Sequence, residues 1–353
     1  MEDEDDGGGP QNDGGVVILP NPVIFRGAQL PQRSCFCYNS PIKEICLCVI
    51  YNHNFEKNIP VLDRVYAGRF SNVYHIMPFY RGDNPRVIGV YESSYQFQGY
   101  IAQAAARLRN DRYSHYVFVA DDMGINPILD ERNIVDRVGG SAFVPSCELV
   151  NDCMFVNMDF VRSSVMNIMG QANACEWSRF LPSLKEAKEK VRRCGFNPYD
   201  GVSECLYRVV RCGCRVLRHT PFRNAYIPPF GMVRKLWKLF RSENKVYPLF
   251  NGYSDFCIVP AESFDLFALY CGVLAGCRVF VEQAIPTAMV LSCENILTLR
   301  KTQWLAENGV DDYRVRHDME EKTDMNYKRL IENFPCDYLF IHPVKLSKWK
   351  ELP

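Results

Sequence analysis

The chain has 353 residues, enough for one large domain or two smaller ones, and 47% of them are hydrophobic, so a sizeable core can be buried. Formal net charge is zero, yet residues 1–15 hold six acids and no Lys or Arg, which leaves the remainder at +6. That mild excess, with no dense basic run, argues against nucleic acid as a partner and suits a small anionic substrate.

The acidic, glycine-rich start does not read as a secretory signal, and no apolar run approaches the roughly 20 residues that span a bilayer. The expectation is a cytoplasmic chain whose 16 cysteines are reduced thiols. The C-x-C pairs Cys35/Cys37, Cys46/Cys48 and Cys212/Cys214 lack the C-x₂₋₄-C spacing of structural zinc. Buried cysteines acting as small hydrophobes are expected instead.

In chain order, residues 1–40 read as an acidic disordered tail followed by a proline-containing lead-in. Ile45–Tyr51 (ICLCVIY) is continuously apolar, as a strand buried on both faces should be, and the polar Asn52, His53 and Asn54 follow it. A helix is expected over about Ile59–Arg69. Strands are expected at Val73–Phe79 and Val87–Tyr91, and a helix opening at Glu92-Ser93-Ser94 and running to Leu108. Tyr116–Val119 is a further buried strand, followed by Ala120, Asp121 and Asp122; Gly124 and Asn126-Pro127 signal a turn. Strands alternating with helices at this spacing predict a largely parallel sheet with right-handed crossovers.

The second half is less regular. Asp130–Val138 reads as helical and Gly139-Gly140 breaks it; Leu184–Cys194 is a charged helix opened by the capping box Ser183-x-x-Glu186. Residues 220–250 are aromatic and basic, readable as a solvated face, a lid, an acceptor platform or a membrane-surface helix. A strand at Phe256–Val259, helices at Phe264–Ala275 and Gln283–Leu291, and a last strand at Asp337–Ile341 complete the pattern.

Neither G-x-G-x-x-G nor G-x-x-x-x-G-K-[ST] occurs, which weighs against a dehydrogenase and a P-loop NTPase, and no G-x-S-x-G elbow supports a hydrolase. Asp121 and Asp122 stand where a buried strand ends. Two acids there are costly to desolvate unless they hold a cation or a hydrogen-bond network, and open α/β sheets bind ligands beyond the carboxyl ends of their strands. A helix-capping acid pair is the structural alternative.

Together, Ile45–Asn54, VFVADDMGINP, YSDFCIVP followed by VFVEQAIPTA, and the terminal IHPVKLSKW resemble GT-A type nucleotide-sugar glycosyltransferases of polysaccharide-building loci in bacteria and large viruses. The resemblance spans residues 45–349. It implies an α/β, Rossmann-like GT-A fold: a mostly parallel sheet with flanking helices, a donor half over residues 41–145, and an acceptor half over 146–353 whose C-terminus returns to the donor site. This chain departs from the family's D-x-D form, since Asp121 and Asp122 are adjacent and Ala120 stands where an acid would.

The resemblance further implies transfer of a sugar from a nucleotide-sugar donor to a glycan, glycoconjugate or other hydroxyl acceptor, metal-dependent and inverting. Asp122 and His342 would hold Mn²⁺ (or Mg²⁺), a Lewis acid for the departing diphosphate. Asn52, His53, Glu92 and Asp121 would bind the donor, with Lys345 and Lys348 reaching its phosphates. Glu282, opening a helix after a short apolar run, would be the base, and Asp255 a second candidate or an acceptor-positioning group. The alternatives are a sugar nucleotidyltransferase, which usually carries a glycine-rich loop where this chain reads YNHNFEKN, and a non-catalytic sugar- or protein-binding module on a decayed transferase fold. No transmembrane segment is expected, which leaves room for peripheral contact with a membrane.

Overall fold

β1 (Glu44–Ile50) is the axis of the molecule, and all but its first residue are buried. In this computed structural model the described residues are 44–171, 179–219, 244–307 and 314–353, and they belong to one compact unit. The alternation of a strand sends Cys46, Cys48 and Ile50 into one core and Ile45, Leu47 and Val49 into another on the opposite face. Two covered faces explain why β1 is apolar throughout rather than alternating.

Beside β1 lie β2 (Asn72–Pro78), then β3 (Val87–Val90), all parallel. On its other side is β4 (Tyr113–Ala120), also parallel. β5 (Gly124–Ile125), β6 (Ala142–Phe143), β7 (Glu148–Leu149), β8 (Phe250–Asn251) and β9 (Phe256–Pro260) follow. β10 (Ile296–Leu297), β11 (Leu305–Glu307) and β12 (Tyr338–Ile341) complete the set. The central sheet is seven-stranded, in the order β10-β6-β9-β4-β1-β2-β3, and β9 is antiparallel to both of its neighbours. Smaller sheets join β11, β12 and β5, and β7 with β8. The chain is therefore an α/β protein with a mostly parallel central sheet, compatible with a Rossmann-like fold. Strands from residues 41–145 and from 146–353 share that one sheet.

The helices Phe97–Leu108 and Ala261–Gly276 cover one face, with Tyr116 stacked on Phe264 at 3.8 Å between ring centroids. The helix Ile59–Tyr66 and the chain's C-terminal strand cover the other. Leu184–Arg193 is a helix with both hydrogen bonds of the Ser183–Glu186 capping box in place. Two expectations shrink. Only Ile134–Arg137 is helical within 130–138, because Asp130 and Asn133 spend their side chains on loop backbone. The helix expected from Glu92 begins as a 3₁₀ turn at Ser94 and becomes α-helical at Phe97. Gly139 and Gly140 do break the chain, with φ of 105° and 70°.

Cys46 and Cys48 are buried free thiols on one face of β1, with sulfurs 3.6 Å apart. Cys35 and Cys37 lie outside the described residues, as do the side chains of Cys212 and Cys214. The tail at 1–40 and the aromatic, basic residues 220–243 also lie outside them. Among the described residues no helix is long and apolar enough to cross a membrane.

Candidate active site

Four chain segments meet at the carboxyl end of β1 and β4. β1 leads into Tyr51 and Asn52, and β4 leads into Asp121 and Asp122. The first acid turns inward: Asp121 is 4% exposed, with one oxygen accepting the Asn52 N–H at 3.2 Å and the other the Asn58 amide at 3.4 Å. Burial, and secondly the neighbouring Asp122 carboxylate, push its pKa up to about 7 against the pull of those donors. Asp122 faces the other way and is partly open to solvent.

The third segment arrives because β9 is antiparallel. The residue before its first position therefore sits at the carboxyl end of β4, where the Ala120 N–H donates to the Asp255 carbonyl at 2.9 Å. Asp255 is thus brought beside the acid pair from 134 residues away in sequence. Its pKa is raised, first by burial, with His342 pulling it back down and Asp122 pushing it further up.

The fourth segment is the C-terminal strand. The residues read as a simple turn after Asp122 form β5, whose Gly124 and Ile125 pair antiparallel with Ile341 and Phe340 of β12. Asn126 locks the join: its N–H donates to Leu339 and its amide to Tyr338, at 3.0 and 2.8 Å. A Cβ on Gly124 would lie 3.2 Å from Val344, so glycine allows the close approach. The next residue of β12's path, His342, then lands with Nε2 3.1 Å from Asp122 Oδ1 and 3.7 Å from Asp255 Oδ2. Tyr253 packs edge-on against the imidazole at 5.8 Å and stacks on Phe340 at 5.5 Å, fixing the ring's orientation.

A cleft of about 440 Å³ opens beside this cluster, lined in part by Asn52, His53, Phe55, Asp121, Asp122 and Lys345. The lining puts a cation, an exposed aromatic ring and a carboxylate pair around one space. Glu92, Asp255, Glu282, His342 and Lys348 are not part of that lining. Glu92 instead lies 3.7 Å from Arg278, two residues before the 3₁₀ turn that starts at Ser94. Lys348 is exposed at the end of the 3₁₀ turn Leu346–Lys348.

Glu282 is the second residue of the helix Val281–Ser292, and its carbonyl accepts the Gly252 N–H at 2.9 Å. The helix dipole favours its ionised form, yet burial and then the Asp255 charge win, and its pKa is raised. A raised pKa makes a carboxylate a stronger proton acceptor. Two features with no sequence signal support this corner. Gln283, fully buried, bonds to Asn251 and to Ser164 at 3.1 Å, and Ser164 in turn accepts the Phe280 N–H at 3.0 Å. Gly252 has no room for a Cβ, which would sit 2.0 Å from the Ser146 carbonyl oxygen. Asn58, which holds Asp121, was equally silent in the sequence.

Among the described residues no group of three or more His, Cys, Asp or Glu side chains is arranged as a metal cage. The pair Asp122 and His342 nevertheless has the right chemistry for two ligands of one cation. Donors in neighbouring octahedral positions at roughly 2.1 Å stand roughly 3 Å apart, close to the spacing between these two atoms. Mg²⁺ and Mn²⁺ sites of this kind take their other ligands from phosphate and water. In comparisons with known proteins, no family model matches the chain, and no curated protein matches it in sequence.

Proposed function

We propose that the chain is a metal-dependent glycosyltransferase of GT-A type, moving a sugar from a nucleotide-sugar donor to a hydroxyl acceptor with inversion. The observation that most supports this reading is the convergence of Asp122, Asp255 and His342, from three distant segments, beside a cleft that Asp121, Asp122 and Lys345 line.

In this reading the cleft takes the nucleoside diphosphate. Asp121, tied to the β1 exit by Asn52 and Asn58, is a fixed acceptor for a ribose or base donor group. The Phe55 ring, half exposed at the cleft, offers a stacking face, and Lys345 neutralises phosphate charge. Asp122 and His342 would hold Mn²⁺ or Mg²⁺, which supplies Lewis-acid charge to the departing diphosphate. Glu282 takes the acceptor's hydroxyl proton as that oxygen attacks the anomeric carbon; the carbon–oxygen bond to the diphosphate breaks, and the pair of electrons leaves with it. Asp255, between His342 and Glu282 in charge influence, orients the acceptor or the imidazole.

The test is turnover of a nucleotide-sugar panel with and without Mn²⁺, read as release of nucleoside diphosphate. The reading expects metal-stimulated release from at least one donor. Release from none, or release equal in Asp122→Ala, contradicts it.

A further inference from the structure

The carboxyl edge of the sheet carries a row of aromatic rings that the site described above does not use. Phe79 follows β2 and Tyr91 follows β3; they pack edge to face at 6.1 Å and are 55% and 71% exposed. The Asn54 amide, on the loop leaving β1, donates to the Phe79 carbonyl at 3.2 Å, so this end of the row starts beside the cleft. Tyr95, 69% exposed, packs on Phe280 at 6.1 Å, and Phe280 packs on Phe160 at 5.3 Å. Phe280 caps the helix that begins with Val281 and Glu282. The Glu92–Arg278 ion pair and the Gln98 amide bond to the Val279 carbonyl at 2.8 Å fasten the 91–98 segment to the 278–280 loop. The rings thus form two groups: Phe79 and Tyr91, after the neighbouring strands β2 and β3, and Tyr95, Phe280 and Phe160, which reach the residue before the Glu282 helix. Tyr91 and Tyr95, four residues apart on the 91–98 segment, link the two in sequence.

Two properties limit what such a row can hold. Its members are aromatic rings, and Phe79, Tyr91 and Tyr95 are each more than half exposed, so ring surface is open to a ligand, unlike the aliphatic patch a greasy partner would meet. The nearby charges balance: Glu92 pairs with Arg278, and Arg81 and Asp83, opposite in sign, follow Phe79 in the chain. A polyanion such as a single-stranded nucleic acid stacks on rings too, but it also needs a positive groove along its phosphates. An uncharged sugar chain needs only the rings. Pyranose C–H bonds carry partial positive charge and sit well on the negative face of an aromatic quadrupole.

We propose that Phe79, Tyr91, Tyr95, Phe280 and Phe160 form a stacking platform for an extended, uncharged carbohydrate chain, which they lead to Glu282. The acceptor class is then an oligosaccharide or polysaccharide, rather than a monosaccharide or a small alcohol. The direction of the chain towards Glu282 rests on the transferase reading; the platform itself does not.

The experiment is frontal affinity chromatography on the immobilised full chain with neutral hexose and N-acetylhexosamine mono-, di-, tetra- and hexasaccharides, and with oligothymidylate as the polyanion arm. Retention should rise with chain length. It should fall about three- to tenfold for Tyr91→Ala and for Tyr95→Ala, the weight of one aromatic contact, and be kept by Tyr95→Phe. Both tyrosines are exposed, so these variants fold. Equal retention of mono- and hexasaccharide, no retention of any saccharide, undiminished retention by both alanine variants, or preferential retention of oligothymidylate overturns the proposal. Nucleotide-sugar hydrolysis by the unaltered chain separates the two ideas. Saccharide retained with no donor turned over removes the transferase reading and leaves the platform; donor turned over with no saccharide retained does the reverse.

Discussion

Two histidines in this molecule sit between oxygen partners, and their surroundings make them opposites. His75, on β2, is fully buried, with Nδ1 2.8 Å from the Tyr51 hydroxyl and Nε2 3.1 Å from Asp63 Oδ1. Arg86 closes the far side of Asp63 at 2.8 Å. Every hydrogen-bonding position of that imidazole is spent inside the protein, which suits a neutral ring that donates from Nε2 and accepts at Nδ1. His342 lies between Asp122 and Asp255, partly open to solvent, with the cleft's Lys345 three residues on in the chain. The same side-chain chemistry therefore builds a closed brace beneath the sheet's carboxyl edge and an open cluster above it. A closed network stabilises the fold, while an open one keeps groups ready for a ligand.

That contrast can be broken at several points. The largest effect is expected on the open side, at Glu282. Glu282→Gln keeps shape but cannot take a proton, so the rate of transfer at saturating donor should fall about 10²–10⁴-fold while donor binding survives. A rate unchanged in this variant removes Glu282 from the mechanism. Next, His342→Ala should cost about 10²–10³-fold in metal-stimulated nucleoside diphosphate release, the scale of losing one preorganised electrostatic contact. Its urea midpoint should move little, since Asp122 regains water.

His75→Ala should behave in the reverse way. It leaves the buried Tyr51 hydroxyl short of a partner and a cavity beside it, while Asp63 keeps Arg86, and should cost about 2–4 kcal/mol of stability in urea unfolding. Folded His75→Ala should retain metal-stimulated release. If His75→Ala and His342→Ala lose stability and turnover alike, the two networks are not the opposites described.

The smallest effect is a pH dependence. Burial lowers the His75 pKa, outweighing the Asp63 carboxylate that raises it, and Arg86 adds to the lowering. The folded state then holds the ring neutral where the unfolded chain begins to bind a proton, below about pH 6.5. The contribution of neutral His75 is complete above that pH and shrinks as pH falls towards the folded pKa, by at most about 1.4 kcal/mol per pH unit. Unfolding free energies of the native chain and His75→Gln should converge between about pH 7.5 and pH 5.5. A difference independent of pH contradicts a neutral buried His75.

Much of the frame could be read from the residues. β1 and the second half of β4 announce themselves as continuous apolar runs that stop at polar groups, while Tyr113–His115 at the start of β4 carries no such signal, and the Ser183–Glu186 box marks its helix. Local patterns carry such elements because burial on two faces or a cap leaves a local trace. The assembly of the site leaves none. β5 has two residues and exists only because β12 pairs with it across more than two hundred positions. The antiparallel sense of β9 decides that Asp255 reaches Asp122, yet its sequence would suit either direction. Gln283, Ser164 and Asn58 are ordinary polar residues until their partners are known. Glu92, expected at a strand end, stands 3.7 Å from Arg278 and outside the cleft's lining, a pairing across 186 positions that leaves no local trace.

The central claim is that Asp122 and His342 hold a divalent cation together with a nucleoside diphosphate in the cleft beside them. The direct measurement is a thermal-shift matrix of the native chain and Asp122→Ala against a panel of nucleoside diphosphates, each with and without Mn²⁺. A ligand that binds only the folded state raises Tm by mass action, by about 2.7 kcal/mol of stability at a hundredfold excess over Kd. The account predicts a rise for the native chain that needs diphosphate and Mn²⁺ together and is absent in Asp122→Ala. A rise of equal size without Mn²⁺, a rise preserved in Asp122→Ala, or no rise with any diphosphate would contradict it.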